Sequence, residues 1–208
     1  MINYRIICLL ILGMFSICEA DPLYIDKKVV VISSGLPGVG KTTLLRELNK
    51  RIANSVYLDK DVIANPFIVG LEETFYQSAH YHSYVKTQLY TAMLRLAEDN
   101  LREGSRVVLL DGYFGNKLSS SPFKEFLHSP GSSKKVIHFY CSQAVNEARL
   151  RSRGAVRDLA KFADHRRYFN IESDAHAEEL KKHLHLQINT ESDMEANIVR
   201  MLEYIRID

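Results

Sequence analysis

Gly35-Leu36-Pro37-Gly38-Val39-Gly40-Lys41-Thr42 matches the pattern G-x-x-x-x-G-K-[ST] at every fixed position. This is the phosphate-binding loop pattern, and it predicts where a nucleoside triphosphate sits. Its flanks are the ones the loop requires. Lys28-Val29-Val30-Val31-Ile32-Ser33 is a short β-branched run that reads as a buried strand. Thr43-Leu44-Leu45-Arg46-Glu47-Leu48 continues as a helix. Gly35, Gly38 and Gly40 can take positive φ and let backbone N–H groups approach phosphate oxygens closely. The first helical turn adds unpaired N–H groups and the positive end of its dipole. Leu36, Pro37, Val39 and Thr43 complete the stretch assigned to the nucleotide. Lys41 is expected to stand exposed on the loop as a point charge for the β- and γ-phosphates, and the Thr42 hydroxyl to bind Mg²⁺.

Outward from the loop, strands and helices alternate, the pattern of a parallel sheet covered on both faces. Further strands are read at Ser55-Val56-Tyr57-Leu58, Arg106-Val107-Val108-Leu109-Leu110, Lys135-Val136-Ile137-His138-Phe139-Tyr140 and His183-Leu184-His185-Leu186-Gln187-Ile188. The reading is an α/β fold of the P-loop NTPase type: five mostly parallel strands, helices on both faces and an arginine-bearing lid. A long helix is predicted over residues 74–102, with Tyr81, Val85, Leu89, Ala92 and Leu96 as its apolar face and Gly104 as its stop. A short helix is read around Phe123 to Leu127, and helix, loop, helix over residues 147–167. Ser192-Asp193-Met194-Glu195 reads as a capping box for the last helix, whose apolar face is Ile198, Met201, Leu202 and Ile205.

The chain has 208 residues, with 46% hydrophobic and 25% charged residues, which suits one soluble α/β domain. Its net charge of +2 does not favour long nucleic acid as a partner. Arg5, the apolar stretch Ile6 to Phe15 and the small residues Cys18 and Ala20 form the order of a secretory signal. Residues 1–20 are therefore read as a signal peptide, and 21–208 as the mature domain. The alternatives are an uncleaved anchor and a cytoplasmic protein with a misassigned start, for which Met14 is one candidate. The absence of an Asn-x-Ser/Thr acceptor, and Cys141 as the lone cysteine outside the signal, suit a cytosol equally well.

In open α/β sheets, ligands bind beyond the carboxyl ends of the strands. That rule selects Asp59 and Asp61 after the second strand and Asp111 after the third. Asp111 ends an apolar strand, the position of an acid that holds Mg²⁺. One of Asp59 and Asp61 is placed to take the proton of an attacking hydroxyl, the other reading being a helix cap. Arg149, Arg151, Arg153 and Arg157 crowd one basic segment beside Gly154, where guanidinium groups could stabilise a transferring phosphoryl group. His80/His82 and His183/His185 have no Cys or His nearby to complete a metal set.

With these residues together, the chain resembles the P-loop kinases that include phage polynucleotide kinase, chloramphenicol phosphotransferase, zeta-toxin-like kinases and small AAA-type ATPase domains. The resemblance covers residues 28–206. It rests on the loop, on Leu58-Asp59-Lys60-Asp61, on Val107 to Asp111 and on Arg153-Gly154-Ala155-Val156-Arg157-Asp158. It implies that Asp61 is the base, that Arg157 is the lid arginine supported by Arg153, and that ATP and Mg²⁺ are required. The expected activity is transfer of the γ-phosphate to a hydroxyl of an acceptor, read as a small molecule, with a 5′-hydroxyl polynucleotide as the alternative acceptor. The rival function is a nucleotide-dependent regulatory ATPase or switch with no acceptor.

Overall fold

The computed structural model describes residues 21–68, 78–115, 117–121, 123–155, 158, 161–162 and 165–207. Five strands form one sheet: β1 (Val29–Ser34), β2 (Ser55–Asp59), β3 (Val107–Asp111), β4 (Ser133–Tyr140) and β5 (His185–Asn189), in the order β2-β3-β1-β4-β5. All four pairings are parallel. The register brings Asp59 beside Asp111, so the acids ending β2 and β3 are neighbours. The strand before the loop is thus central and has no solvent-facing side. All six of its residues are buried, which explains a continuous apolar run without alternation.

The helices are α1 (Lys41–Lys50), α2 (Lys60–Ile68), α3 (Lys86–Arg102), α4 (Phe123–His128), α5 (Gln143–Arg153), α6 (His165–Leu180) and α7 (Met194–Arg206). Side chains alternate across the sheet and build two cores. On one face Val29, Val31, Leu109, Ile137, Phe139 and Ile188 pack with Leu45 and Leu48 of α1 and Ile198, Met201 and Ile205 of α7. On the other, Val30, Ile32, Val108, Leu110 and Val136 meet Tyr90, Met93, Leu94 and Ala97 of α3, with Phe114, Phe123 and Phe126. Full burial of one such aliphatic side chain is worth roughly 1.5–3 kcal/mol.

Three local expectations change. The helix predicted over residues 74–102 is described from residue 78, is helical by residue 79 and contains a π turn, Tyr81–Val85, that runs into α3. A π turn holds an extra residue, so the apolar face advances. Tyr81 and Leu89 of the predicted face are buried, together with Tyr90, Met93, Leu94, Ala97 and Leu101, while Leu96 is exposed. Gly104, at φ 119°, does follow the helix end. The capping box is replaced by Asp193, whose side chain accepts from the Ala196 N–H at 2.8 Å. Glu195 pairs instead with Arg51 of the segment after α1, at 2.7 Å. The helix predicted to begin at residue 147 begins at Gln143, capped by Ser142, and ends at Gly154 in the left-handed region.

Candidate functional site: the phosphate loop and its acids

The loop between β1 and α1 is built on left-handed backbone. Gly35, Gly38 and Gly40 have φ of 125°, 84° and 98°. Gly35 admits no side chain: a Cβ there would lie 2.2 Å from the Phe139 carbonyl oxygen. At Gly40 a Cβ would meet the Arg149 guanidinium at 3.2 Å. Arg149 donates to the Val39 carbonyl at 3.0 Å and to Thr190 Oγ1 at 2.8 Å. Thr190 Oγ1 donates in turn to the Val39 carbonyl at 2.5 Å. Asn146 Nδ2 donates to the Pro37 carbonyl at 2.8 Å. These contacts hold the loop carbonyls from α5 and from the end of β5.

Lys41 is buried, at 8% exposure, against the expectation of an exposed loop lysine. Its ammonium donates to the Gly35 and Leu36 carbonyls, both at 2.8 Å. The long stem folds back because an ammonium removed from water must find acceptors, and the loop's own carbonyls are nearest. Burial pushes its pKa down to about 8; Asp111 and Asp61 pull it up, and Arg153 and Lys161 push it further down.

Thr42 and Asp111 meet across the β1–α1 turn. Thr42 Oγ1 donates to Asp111 Oδ2 at 2.6 Å. Tyr57 from β2 donates to the same oxygen at 2.6 Å. Asp111 is buried, and burial raises its carboxyl pKa while Lys41, Thr42 and Tyr57 oppose the rise. Burial also raises the Tyr57 phenol well above the usual tyrosine range, reinforced by Asp111. Ser33 Oγ accepts from the Gly112 N–H at 3.0 Å and donates to the Gly112 carbonyl at 3.1 Å, which locks the end of β3 to the loop strand. A hydroxyl and a carboxylate sharing one proton position are the oxygen donors Mg²⁺ prefers. The glycine cradle and this pair suit a triphosphate with its metal.

The two acids after β2 separate into different environments. Asp59 is 12% exposed, accepts the Asp61 N–H at 2.8 Å and pairs with Arg46 at 3.3 Å. It caps α2. Asp61 is 42% exposed and pairs with Lys60 at 2.7 Å. Beyond β3, Tyr113 is gripped by Tyr90, whose hydroxyl accepts the Tyr113 N–H at 3.0 Å and donates to its carbonyl at 2.9 Å. The Tyr113 hydroxyl donates to Glu172 of α6.

After α5, Arg153 and Lys161 both donate to the fully buried carboxylate of Asp158. Arg153 is thus held by Asp158. Arg157 lies outside the described residues, as do residues 1–20. Sequence reasoning missed Tyr57, Tyr113 and the loop-bracing role of Arg149, because each acts through contacts distant in sequence. Cys141 is buried, and burial raises its thiol pKa. A cavity of about 440 Å³ lies between β4, β5 and α6, lined by His138, His185, Phe169 and Ala177. It includes none of the acids above.

No curated protein matches the chain. Among solved structures, it is similar to a sugar kinase from Janibacter sp. HTCC2649 (TM-score 0.59, 13% identity, covering 87% of this chain and 95% of that one). It is also similar to the Deinococcus radiodurans tunicamycin resistance protein (TM-score 0.56, 14% identity, 88% and 98% covered). Shikimate kinase from Acinetobacter baumannii, solved with shikimate, is a third (TM-score 0.55, 17% identity, 86% and 92% covered). At such identities these likenesses establish the fold. A family model described as an AAA domain matches residues 30–195, from within β1 to the start of α7. With its phosphate loop, buried acid and parallel sheet accounted for, the chain belongs to the AAA domain family and has the P-loop kinase-like fold.

Proposed function

We propose that this protein transfers the γ-phosphate of ATP to a hydroxyl group of a small acceptor. The observation that carries the reading is the pairing of Thr42 with Asp111 at 2.6 Å beneath the loop, with Asp61 half-exposed one strand away. Residues 35–43 would hold the phosphates through backbone N–H groups, and Thr42 and Asp111 would hold Mg²⁺. The metal supplies charge neutralisation of the phosphate oxygens. Lys41 exchanges its loop carbonyls for phosphate oxygens. Asp61 accepts the proton of the attacking hydroxyl, while Asp59 caps the helix that carries it. Arg153, and Arg157 beyond it, bring guanidinium charge to the transferring group as the α5–α6 segment closes.

Small-molecule acceptors are favoured by the near-balanced charge, +2 over 208 residues. The kinase-like neighbours lend support, since one of them was solved with shikimate. The test is γ-phosphate transfer from labelled ATP against alcohols, sugars, nucleosides and 5′-hydroxyl oligonucleotides. Acceptor-dependent loss of ATP is expected. Slow hydrolysis that no acceptor accelerates would replace the kinase with a regulatory ATPase.

A further inference from the structure

His165 is the first residue of α6, and its side chain is buried against α5. Its Nε2 lies 3.1 Å from Asn146 Oδ1, and Asn146 is fully buried. The other end of that carboxamide reaches the phosphate loop, where Asn146 Nδ2 donates to the Pro37 carbonyl at 2.8 Å. A carbonyl can only accept, so the amide nitrogen must face Pro37 and the amide oxygen must face His165. That oxygen needs a donor, so His165 carries a proton on Nε2. Among the described residues, Nδ1 has no hydrogen-bond partner. The Glu147 carboxylate stands 3.5 Å from it, with its other oxygen taken by Arg151 at 2.6 Å. The bond this buried imidazole does make is therefore the one that leads, through Asn146, to the loop.

The contact bears on the loop's geometry. A trans peptide is planar, so its C=O and N–H point to opposite sides. Holding the Pro37 carbonyl toward α5 turns the Gly38 N–H away from α5. The approach is close: a Cβ on Gly38 would lie 2.8 Å from Leu150 and 3.1 Å from Asn146 Nδ2. We infer that His165 is a positioning residue for ATP: it orients the Asn146 carboxamide, which sets the Pro37–Gly38 peptide and so aims the Gly38 N–H at a phosphate oxygen. This rests on the loop holding ATP, as in the kinase reading, and adds the start of α6 to that site. His165 acts through Asn146, without contact to the nucleotide, and leaves the acceptor and its proton to Asp61.

The test compares full-length His165→Phe, which keeps a ring and loses the donor, with His165→Gln, whose amide can donate in its place. Calorimetry gives Kd for ATP with Mg²⁺, and thermal unfolding without nucleotide gives stability. His165→Phe should weaken ATP binding about fivefold or more, through loss of a buried hydrogen bond, and His165→Gln should recover most of it. Adding His165→Phe to Asn146→Ala should weaken binding no further, because both act through one contact. In turnover, KM for ATP should rise while kcat and KM for the acceptor stay within about threefold. A lower melting temperature with unchanged Kd means that His165 only packs α6, and overturns the inference; so does a His165→Gln variant as weak as His165→Phe. Should His165→Phe not fold, wild-type protein labelled with ¹⁵N-histidine decides. The His165 ring must carry a proton on Nε2, and its nitrogen signals must move when ATP binds. A bare Nε2, or signals indifferent to ATP, overturns the inference as well. Failure of the kinase reading looks different: Kd for ATP responds to His165 while no acceptor draws phosphate from ATP.

Discussion

Replacing Lys41 with Met tests the burial of its ammonium against the carbonyls of Gly35 and Leu36. The Lys41 ammonium has a pKa of about 8 in the folded protein and 10.5 as its ordinary value. Between these limits the unfolded chain binds more protons than the folded one, so stability rises with pH. Below about pH 8 both states are protonated and the full cost of burying the charge is present. From pH 7.5 to 9.5 the folded lysine loses its proton while the unfolded one keeps it. Integrating the linkage relation over that interval gives about 2 kcal/mol of added stability from this residue. Tyr57, Tyr90 and Tyr113, whose pKa values are raised by burial, act in the opposite direction near pH 10, so the wild type alone is ambiguous. The difference between wild type and Lys41→Met cancels them. Urea unfolding of both proteins without nucleotide, at pH 7.5 and 9.5, measures it. The wild type should gain about 2 kcal/mol on the variant over that range. A difference independent of pH would refute the buried-ammonium argument. ATP with Mg²⁺ should erase the pH dependence, because phosphate oxygens replace carbonyls and hold the charge.

Other outcomes follow from neighbouring groups. Asp61→Asn should slow phosphoryl transfer by roughly 10²–10⁴-fold with ATP affinity unchanged and Asp59→Asn should slow it less, while Asp59→Ala should lower stability by about 1 kcal/mol through loss of the helix cap; steady-state rates of the Asn variants and thermal unfolding of the Ala variant check this, and the rate ranking reverses if Asp59 is the base. Gly35→Ala should destabilise by about 3 kcal/mol or more, since the new Cβ collides with a backbone carbonyl at 2.2 Å and φ is 125°; an unchanged melting temperature would contradict the loop geometry. The signal reading predicts a mature chain starting at Asp21, and intact mass of protein from its own host reads this directly; a mass that includes Met1, together with cytosolic fractionation, would refute it.

The loop, the five strands and the strand-end acids were legible because their signals are short and contiguous. A glycine pattern, β-branched runs and an acid at the end of each run need no knowledge of partners. The burial of Lys41 was hidden, since it depends on where a flexible stem finds acceptors. The face of α3 was misjudged because a π turn changes the period, and nothing in Tyr81–Val85 marks one. Asp193 rather than Ser192 caps the last helix, and Glu195 pairs with Arg51, far away in the chain. Tyr57 and Arg149 share that difficulty. Their partners Asp111 and Val39 are joined to them only by the folded sheet.

The position of β1 has a consequence for biosynthesis. Val29 pairs with Val107 on one side and with Ser133 on the other, 78 and 104 positions later in the chain. The strand that presents the triphosphate loop emerges early, and both its neighbours emerge late. While the ribosome is still short of β4, the loop has no wall from Phe139 and no brace from Asn146 or Arg149. Nascent chains therefore lack a formed nucleotide site until most of the polypeptide exists, and ATP cannot act as an early folding template. Such non-local pairing also slows folding.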